Sequence, residues 1–305
     1  MTSNNEFYEN QIRESLGEEA KHIELISATN NVVFKVETIK YGTVYAKFYL
    51  ENSTHIDHEM ELYGLIDSKY LKEVIVTTVN PKMAVFDELK GKTIDELSPE
   101  ELKKNTKKIV DSLIHFYEAL GENKIKGYGL LDKNMHGTSK SFQEFIVARQ
   151  TETEKTLKDY SVLNSAFSKI FEKYKDLLVG DNSLVPIDTN AKNIMLTQKG
   201  EVKFIDPGEL ISAPKLMGYG DFVAHTYKTA LYDCLIKKLN LGKDDEKRLR
   251  IYAIFSSLNI LAFLKNLGVD DLETVIPYGN KYTFCSLIEE HLEKLGIQIE
   301  KEMER

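Results

Sequence analysis

Two short segments in the second half of the chain carry carboxylate and amide side chains at close spacing. The first is VPIDTNAKNIM (residues 185–195), with Asp188 and Asn193; the second is KFIDPGE (residues 203–209), with Asp206. Each segment begins with an apolar run typical of a strand, which places the polar side chains in the following loop. Carboxylate and amide oxygens suit Mg²⁺, and a carboxylate can accept the proton of an attacking hydroxyl. Together these groups would serve phosphoryl transfer from a nucleotide.

The same residue types also favour ordinary turns, so their order and spacing decide the interpretation. Asn193 follows Asp188 by five residues, and Asp206 follows Asn193 by thirteen. The intervening IMLTQKGEVKFI has the pattern of two strands, around 194–197 and 202–205, joined by a turn at QKG. The succession of loop, hairpin and loop favours a functional site over two unrelated turns.

Composition restricts the class of partner. The chain has 305 residues and a formal net charge of −8, which argues against a nucleic-acid binder that relies on bulk positive charge. Cys234 and Cys285 are the only cysteines, so neither a disulfide framework nor a zinc site is expected. The N-terminus lacks the apolar core of a signal peptide, and the longest apolar stretch, residues 251–264, is too short to span a bilayer. We expect a cytoplasmic protein without membrane or nucleic-acid partners, either a monomer or a homodimer.

The first part of the chain has the pattern of a small sheet with one helix. NVVFKVET and TVYAKFYL are β-branched or alternating runs separated by a turn at Gly42. Residues 55–67 have helical spacing, and two further strand candidates follow at 73–79 and 82–89. After Gly91 the pattern becomes mostly helical.

Helical signals dominate the rest of the chain. Ser98 and Glu101 form a predicted capping box, with Pro99 at the first helical position. Residues 152–178 have the period of one amphipathic helix, and the chain is almost entirely helical by period after about Tyr227.

Over residues 23 to about 230 the chain resembles the aminoglycoside phosphotransferase and choline kinase-like family. In that family the catalytic loop reads D-x-x-x-x-N, which Asp188 and Asn193 match, and a D-x-G metal loop follows, which Asp206 begins. GYGDFVAH is similar to a later family segment and carries Asp221, an aspartate expected to brace the catalytic loop. The resemblance implies an α+β, two-lobed protein-kinase-like fold with a small β-rich N-lobe and a larger, mostly helical C-lobe.

The resemblance also implies a nucleotide-binding lobe over residues 1–88 and a catalytic and substrate-binding lobe over 89–305. Its motifs assign the N-lobe residues as follows. The predicted nucleotide contacts are Asn31 in the loop ISATNNVVFKVET, Lys47 in YAKFY, Glu59 in HEMELYGLI as the partner of that lysine, and Asp87 and Leu89 in the hinge-like AVFDELKG.

Two of these assignments stay open on sequence alone. Glu61 competes with Glu59 because the helix register is uncertain by a residue or two. Asn31 is also an ordinary turn former.

The implied activity is an ATP- and Mg²⁺-dependent phosphotransferase acting on a hydroxyl of a small polar molecule, of the antibiotic, amino alcohol, nucleoside or sugar class, with GTP as a possible replacement for ATP. Asp188 would be the catalytic residue, and Asn193 and Asp206 the metal ligands. The family has His-Gly-Asp where this chain has Pro186-Ile187-Asp188, and an aromatic residue is commoner where Pro207 stands. The Pro186 departure motivates the alternative of a nucleotide-binding pseudokinase with a regulatory or scaffolding role. A protein kinase is disfavoured because H-R-D and A-P-E motifs are absent from the sequence.

Overall fold

The structure is a computed structural model that describes most of the chain, with short gaps. The described residues are 2–17, 20–28, 31–49, 55–160, 163, 165–207, 209–269, 276 and 282–298. The chain divides into two compact units, residues 1–91 with 195–205 and residues 92–194 with 206–305. The lobe division predicted after residue 88 stays a prediction.

Most strands lie early in the chain and most helices late. Within the described residues the strands are β1 (Ala20–Ala28), β2 (Val32–Thr38), β3 (Gly42–Phe48), β4 (Val74–Val79), β5 (Lys82–Asp87), β6 (Gly91–Thr93), β7 (Tyr128–Leu131), β8 (Gly137–Ser139), β9 (Ser183–Ile187), β10 (Ile194–Thr197), β11 (Val202–Phe204) and β12 (Glu209–Ala213). The helices are α1 (Thr2–Leu16), α2 (His55–Leu65), α3 (Pro99–Gly121), α4 (Phe142–Thr156), α5 (Ala166–Tyr174), α6 (Lys215–Thr226), α7 (Ala230–Leu239), α8 (Lys243–Asn266) and α9 (Phe284–Lys294). None of these helices combines the length and apolar character that crossing a membrane requires.

The first unit contains a five-stranded sheet in the order β1-β2-β3-β5-β4, antiparallel throughout. Successive side chains of a strand point to opposite faces. On β3 one face therefore carries Ala46 and Phe48, which pack in a core with Ile12 and Leu16 of α1. The opposite face carries Lys47. The predicted strands and the helix at 55–67 are confirmed as β2, β3, β4, β5 and α2.

The second unit contains a four-stranded sheet in the order β8-β7-β12-β9. Strand β9 is an edge strand whose five residues are all buried, and it leads directly into Asp188. Pro186 pairs with Leu210 of β12. An edge strand tolerates proline because it has a side on which no ladder hydrogen bond is needed. The structure thus accommodates proline immediately before the predicted catalytic loop.

Helix α3 begins as predicted. The Ser98 hydroxyl oxygen accepts a hydrogen bond from the Glu101 N–H, and the Ser98 N–H donates to the Glu101 carboxylate. The capping box is therefore confirmed, with Pro99 in the first turn.

The single helix predicted over 152–178 is wrong. Helix α4 starts earlier, at Phe142, and ends at Thr156, and α5 starts only at Ala166. The chain turns between them, with the Tyr160 N–H donating to the Leu157 carbonyl and the Leu163 N–H donating to the Tyr160 carbonyl. Both leucines are buried across this turn. The helical period of the sequence therefore continues between α4 and α5, although the helix itself is interrupted there.

Candidate active site

The catalytic loop predicted from the sequence follows β9, and its backbone is held by a buried carboxylate. Asp188 has φ +75°, a left-handed conformation that is uncommon for residues other than glycine and best tolerated by Asp and Asn. The backbone N–H groups of Asp188 and Thr189 both donate to Oδ2 of Asp221, each at 2.9 Å. Asp221 lies on α6 and is 5% exposed. The predicted bracing role of Asp221 is confirmed by these contacts.

Further hydrogen bonds complete the surroundings of Asp221. The Thr189 hydroxyl donates to Oδ2 at 3.1 Å, and the Ser256 hydroxyl of α8 donates to Oδ1. Tyr117 of α3 lies next to Thr189, with 2.7 Å between the two hydroxyl oxygens. A buried carboxylate is stable when several donors satisfy it. The backbone conformation of the loop therefore depends on side chains from α3, α6 and α8.

The side chain of Asp188 is more than half exposed, so an acceptor molecule can reach it. Its Oδ1 accepts a hydrogen bond from Nδ2 of Asn190 at 2.7 Å. Nε2 of His225, which follows Asp221 by one helical turn on α6, lies 4.0 Å from the same oxygen. Nδ2 of Asn193 donates to the backbone carbonyl of Asp188 at 2.8 Å and lies 3.4 Å from Oδ2.

The pKa of Asp188 is raised above its ordinary value. Desolvation is the largest cause, and the negative charges of Asp221 and Asp206 add to it. The hydrogen bond from Asn190 and the nearby His225 act in the opposite direction. A raised pKa makes the carboxylate a stronger proton acceptor, as a general base requires. The contribution of Asp206 also places that carboxylate within electrostatic range of Asp188.

The predicted metal ligands have donor atoms that suit Mg²⁺. Because Nδ2 of Asn193 is held by the Asp188 carbonyl, the amide oxygen is directed away from that contact, as a metal ligand would need. Asp206 is half-buried and supplies a charged oxygen donor. The part of the chain that the structure describes has no group of three or more His, Cys, Asp and Glu side chains arranged to hold a metal. Mg²⁺ commonly takes only one or two protein carboxylates in phosphoryl-transfer sites, with phosphate and water oxygens as further ligands. Asn193 and Asp206 fit that pattern.

Within the first unit, Lys47 and Glu59 form a buried ion pair. Nζ of Lys47 lies 3.1 Å from Oε2 of Glu59, and both side chains are less than a tenth exposed. Lys47 projects from β3 between Val33 of β2 and Ala84 of β5. Glu61 is exposed. The choice that the sequence left open is therefore decided in favour of Glu59 as the partner of Lys47.

Two side chains that the sequence did not single out also contact Glu59. The Tyr49 hydroxyl donates to Oε2 of Glu59, and Nζ of Lys72 lies 3.7 Å from Oε1. The same Lys72 ammonium stands over the ring of Phe86, 3.6 Å from its centroid. Glu59 is thus shared by two lysines. Lys72 precedes β4 outside any periodic segment, so no sequence pattern marked it.

The remaining predicted nucleotide contacts lie at strand ends of the same unit. Asp87 ends β5, where its side chain accepts a hydrogen bond from the Glu73 N–H at 2.7 Å and its own N–H donates to the Glu73 carbonyl at 3.1 Å. Leu89 follows β5 and Asn31 precedes β2, both half-buried. Their roles in binding a nucleotide stay predictions.

Comparison with known proteins supports the fold. No family model and no curated protein sequence matches the chain. Among solved structures, the aminoglycoside phosphotransferase APH(4)-Ia, in a ternary complex with AMP-PNP and hygromycin B, is similar with a TM-score of 0.68 and 14% identity, over 85% of this chain and 92% of that one. The chain has the protein-kinase-like fold.

A second solved structure agrees. Choline kinase LicA from Streptococcus pneumoniae is similar with a TM-score of 0.64 and 11% identity, over 96% of this chain and 99% of that one. LicA has also been solved in complex with AMP. The expected protein-kinase-like fold, with a β-rich N-terminal part and a helical C-terminal part, is confirmed. At these identities the likeness establishes the fold, and the activity is argued from the site.

Proposed function

We propose that this protein is an ATP- and Mg²⁺-dependent phosphotransferase that phosphorylates a hydroxyl group of a small polar molecule. The observation that carries the proposal is the loop at Asp188. Its carboxylate is more than half exposed, and its backbone N–H is held by Asp221. A general base needs an accessible carboxylate held in one orientation.

Each residue would have a separate task. Asp188 accepts the proton of the acceptor hydroxyl while the hydroxyl oxygen forms a bond to the γ-phosphorus, and the bond from that phosphorus to the bridging oxygen of ADP breaks. Asn193 and Asp206 would hold Mg²⁺, which offsets the charge of the phosphate oxygens when bound. Lys47 would contact the phosphates, oriented by Glu59.

The acceptor is proposed only as a class. The similar solved structures include an aminoglycoside phosphotransferase and a choline kinase, so aminoglycosides and amino alcohols belong first in a substrate panel, followed by nucleosides and sugars. ATP and GTP should be compared as donors. Asn31, Asp87 and Leu89 are the residues proposed to contact the base and the nearby part of the nucleotide.

The experiment is a measurement of nucleotide consumption and phosphorylated product across that panel. Wild-type protein and Asp188→Asn are compared, and binding of Mg²⁺–ATP is measured in parallel. Acceptor-dependent product that disappears in the variant, while binding persists, supports the proposal. Binding of Mg²⁺–ATP by the wild type without turnover of any acceptor would favour the pseudokinase alternative raised by Pro186.

A further inference from the structure

The hydroxyl of Thr189 lies at the centre of a buried chain of hydrogen bonds behind the catalytic loop. Its oxygen is 2.7 Å from the Tyr117 hydroxyl and 3.1 Å from Oδ2 of Asp221. Tyr117 and Thr189 are each 1% exposed. The three residues come from α3, the loop and α6, so the hydroxyl connects the loop to two helices.

Counting donors and acceptors favours one direction for these hydrogen bonds. Asp221 Oδ2 already accepts two backbone N–H groups, and a carboxylate oxygen can only accept, so the Thr189 hydroxyl must be the donor to it. The Tyr117 hydroxyl has two acceptors within reach, the Thr189 oxygen at 2.7 Å and the Gly218 carbonyl at 3.2 Å. Because the Thr189 proton is directed to Asp221, Tyr117 donates at the shorter contact, to Thr189. Burial, followed by the negative charge of Asp221, raises the pKa of the Tyr117 phenol well above its usual range. The phenol therefore keeps the proton that it donates.

These hydrogen bonds help to fix the backbone conformation of Asp188. Its left-handed backbone, φ +75°, is maintained by the N–H groups that converge on Asp221. Pro186, which stands where the family resemblance leads one to expect histidine, has no side-chain donor with which to support the loop. The Thr189 hydroxyl supplies a third bond to the same carboxylate oxygen, from the residue immediately after Asp188.

We propose that Thr189 is a positioning residue for Asp188, with Tyr117 directing its hydroxyl, and that this pair supports the catalytic loop of this chain. The inference rests on the proposed function, since it assigns Asp188 as the proton acceptor. It also makes a structural statement that is testable without turnover: the Thr189 hydroxyl, rather than its methyl group, holds the backbone of residues 188 and 189.

A matched pair of substitutions separates the hydroxyl from the methyl group. Thr189→Val keeps the shape and removes the hydroxyl, whereas Thr189→Ser keeps the hydroxyl and removes the methyl. Thr106→Val is the control, because Thr106 is also buried and its hydroxyl donates to the Leu102 carbonyl within α3. We expect Thr189→Val to lower kcat about 10- to 100-fold, as misplacement of a catalytic group does, with nucleotide affinity unchanged. Thr189→Ser and Thr106→Val should keep kcat within about 3-fold, since neither removes a bond to the loop.

A second variant protects the test against loss of folding. Tyr117→Phe retains the ring and removes the donor to Thr189, together with the longer contact to the Gly218 carbonyl. It should lower kcat in the same direction but less. Combined with Thr189→Val, it should cause little further loss, because the two groups act through one bond. Independent, multiplicative losses would contradict the proposed chain.

Hydrogen exchange distinguishes failure of this inference from failure of the proposed function. If the wild type phosphorylates no acceptor, the proposed function fails, and the backbone amides of residues 188 and 189 still decide the inference. Faster exchange of these amides in Thr189→Val than in Thr189→Ser and Thr106→Val supports the positioning role. Equal exchange in all three variants, or equal kcat in Thr189→Val and Thr189→Ser when the enzyme is active, overturns it.

Discussion

Replacing Glu59 by glutamine should destabilise the protein more than replacing its partner Lys47 by methionine. One oxygen of the Glu59 carboxylate pairs with Lys47 at 3.1 Å, and the other lies 3.7 Å from Lys72. Glu59→Gln removes a negative charge that two poorly exposed lysines share. Lys47→Met removes one positive charge and leaves the carboxylate facing Lys72. The two halves of the same ion pair are therefore not equivalent.

The expected magnitudes follow from burial. Both members of the pair are less than a tenth exposed, and removing one partner of a buried ion pair typically costs about 3–5 kcal/mol. Glu59→Gln should fall in this range. For Lys47→Met, the remaining attraction to Lys72 should reduce the loss to about 1–3 kcal/mol, the range for leaving a buried polar group without one of its partners. The difference is large enough to measure by equilibrium unfolding.

Urea unfolding of the wild type, both single variants and the double variant tests the prediction. Glu61→Gln is the matched control, because Glu61 lies on the same helix and is exposed. Its stability should stay within about 0.5 kcal/mol of the wild type. A Lys47→Met variant that is as unstable as Glu59→Gln, or a Glu61→Gln variant that loses comparable stability, would refute the reasoning.

Three further changes have defined outcomes. Asp206→Ala should weaken Mg²⁺-dependent nucleotide binding more than Asn193→Ala, because a carboxylate offsets the charge of the cation and an amide contributes only a dipole. Calorimetric titration of the nucleotide with and without Mg²⁺ measures this difference. Unchanged nucleotide affinity in Asp206→Ala would count against its assignment as a metal ligand. Pro186→Gly should lower turnover and cost about 1 kcal/mol of stability, since the proline ring no longer restricts the backbone before the loop. Nucleotide affinity should be retained. Turnover equal to that of the wild type would show that the ring has no role. Desolvation raises the pKa of Glu290, but hydrogen bonds from Lys228 and Lys294 outweigh it and lower the pKa from 4.5 to about 2. The stability that Glu290 contributes is therefore complete above the unfolded-state pKa and is lost as the pH falls towards 2. Glu290→Gln should flatten the acid side of the stability curve, measured by urea midpoints over that range, and an unchanged curve would contradict the pKa.

The parts of the fold that could be predicted have a clear hydrophobic period. Strand β3 alternates between the core of the sheet and its other face, and this pattern is visible in the sequence around Lys47. Strand β1 was not predicted as a separate strand because it lies at the edge of its sheet and most of its residues are exposed or half-buried. Strand β12 has four buried residues in five, so it shows no alternation. Period identifies half-buried elements and misses those that are mostly exposed or buried on both faces.

The candidate site likewise contains residues that the sequence predicts and residues that only the structure reveals. Asp188, Asn193 and Asp206 could be proposed from the sequence because they lie within two neighbouring segments at a spacing that the family motif shares. Tyr117 contacts Thr189 from 72 positions away, and Ser256 contacts Asp221 from 35 positions away. Neither separation follows from any local pattern, because it is set by how the helices pack. The residues that carry the proposed chemistry were thus predictable, while most of those that hold them in place required the structure.

Transfer of phosphate to an acceptor by the wild type and by Asp188→Asn is the most direct measurement of the proposed activity. Asparagine tolerates the left-handed backbone at φ +75° but cannot accept the hydroxyl proton. With an acceptor from the panel, we expect single-turnover transfer to fall about 10²- to 10⁴-fold, while the affinity for Mg²⁺–ATP stays that of the wild type. Transfer at the wild-type rate by a folded Asp188→Asn protein would contradict the assignment of Asp188 as the proton acceptor.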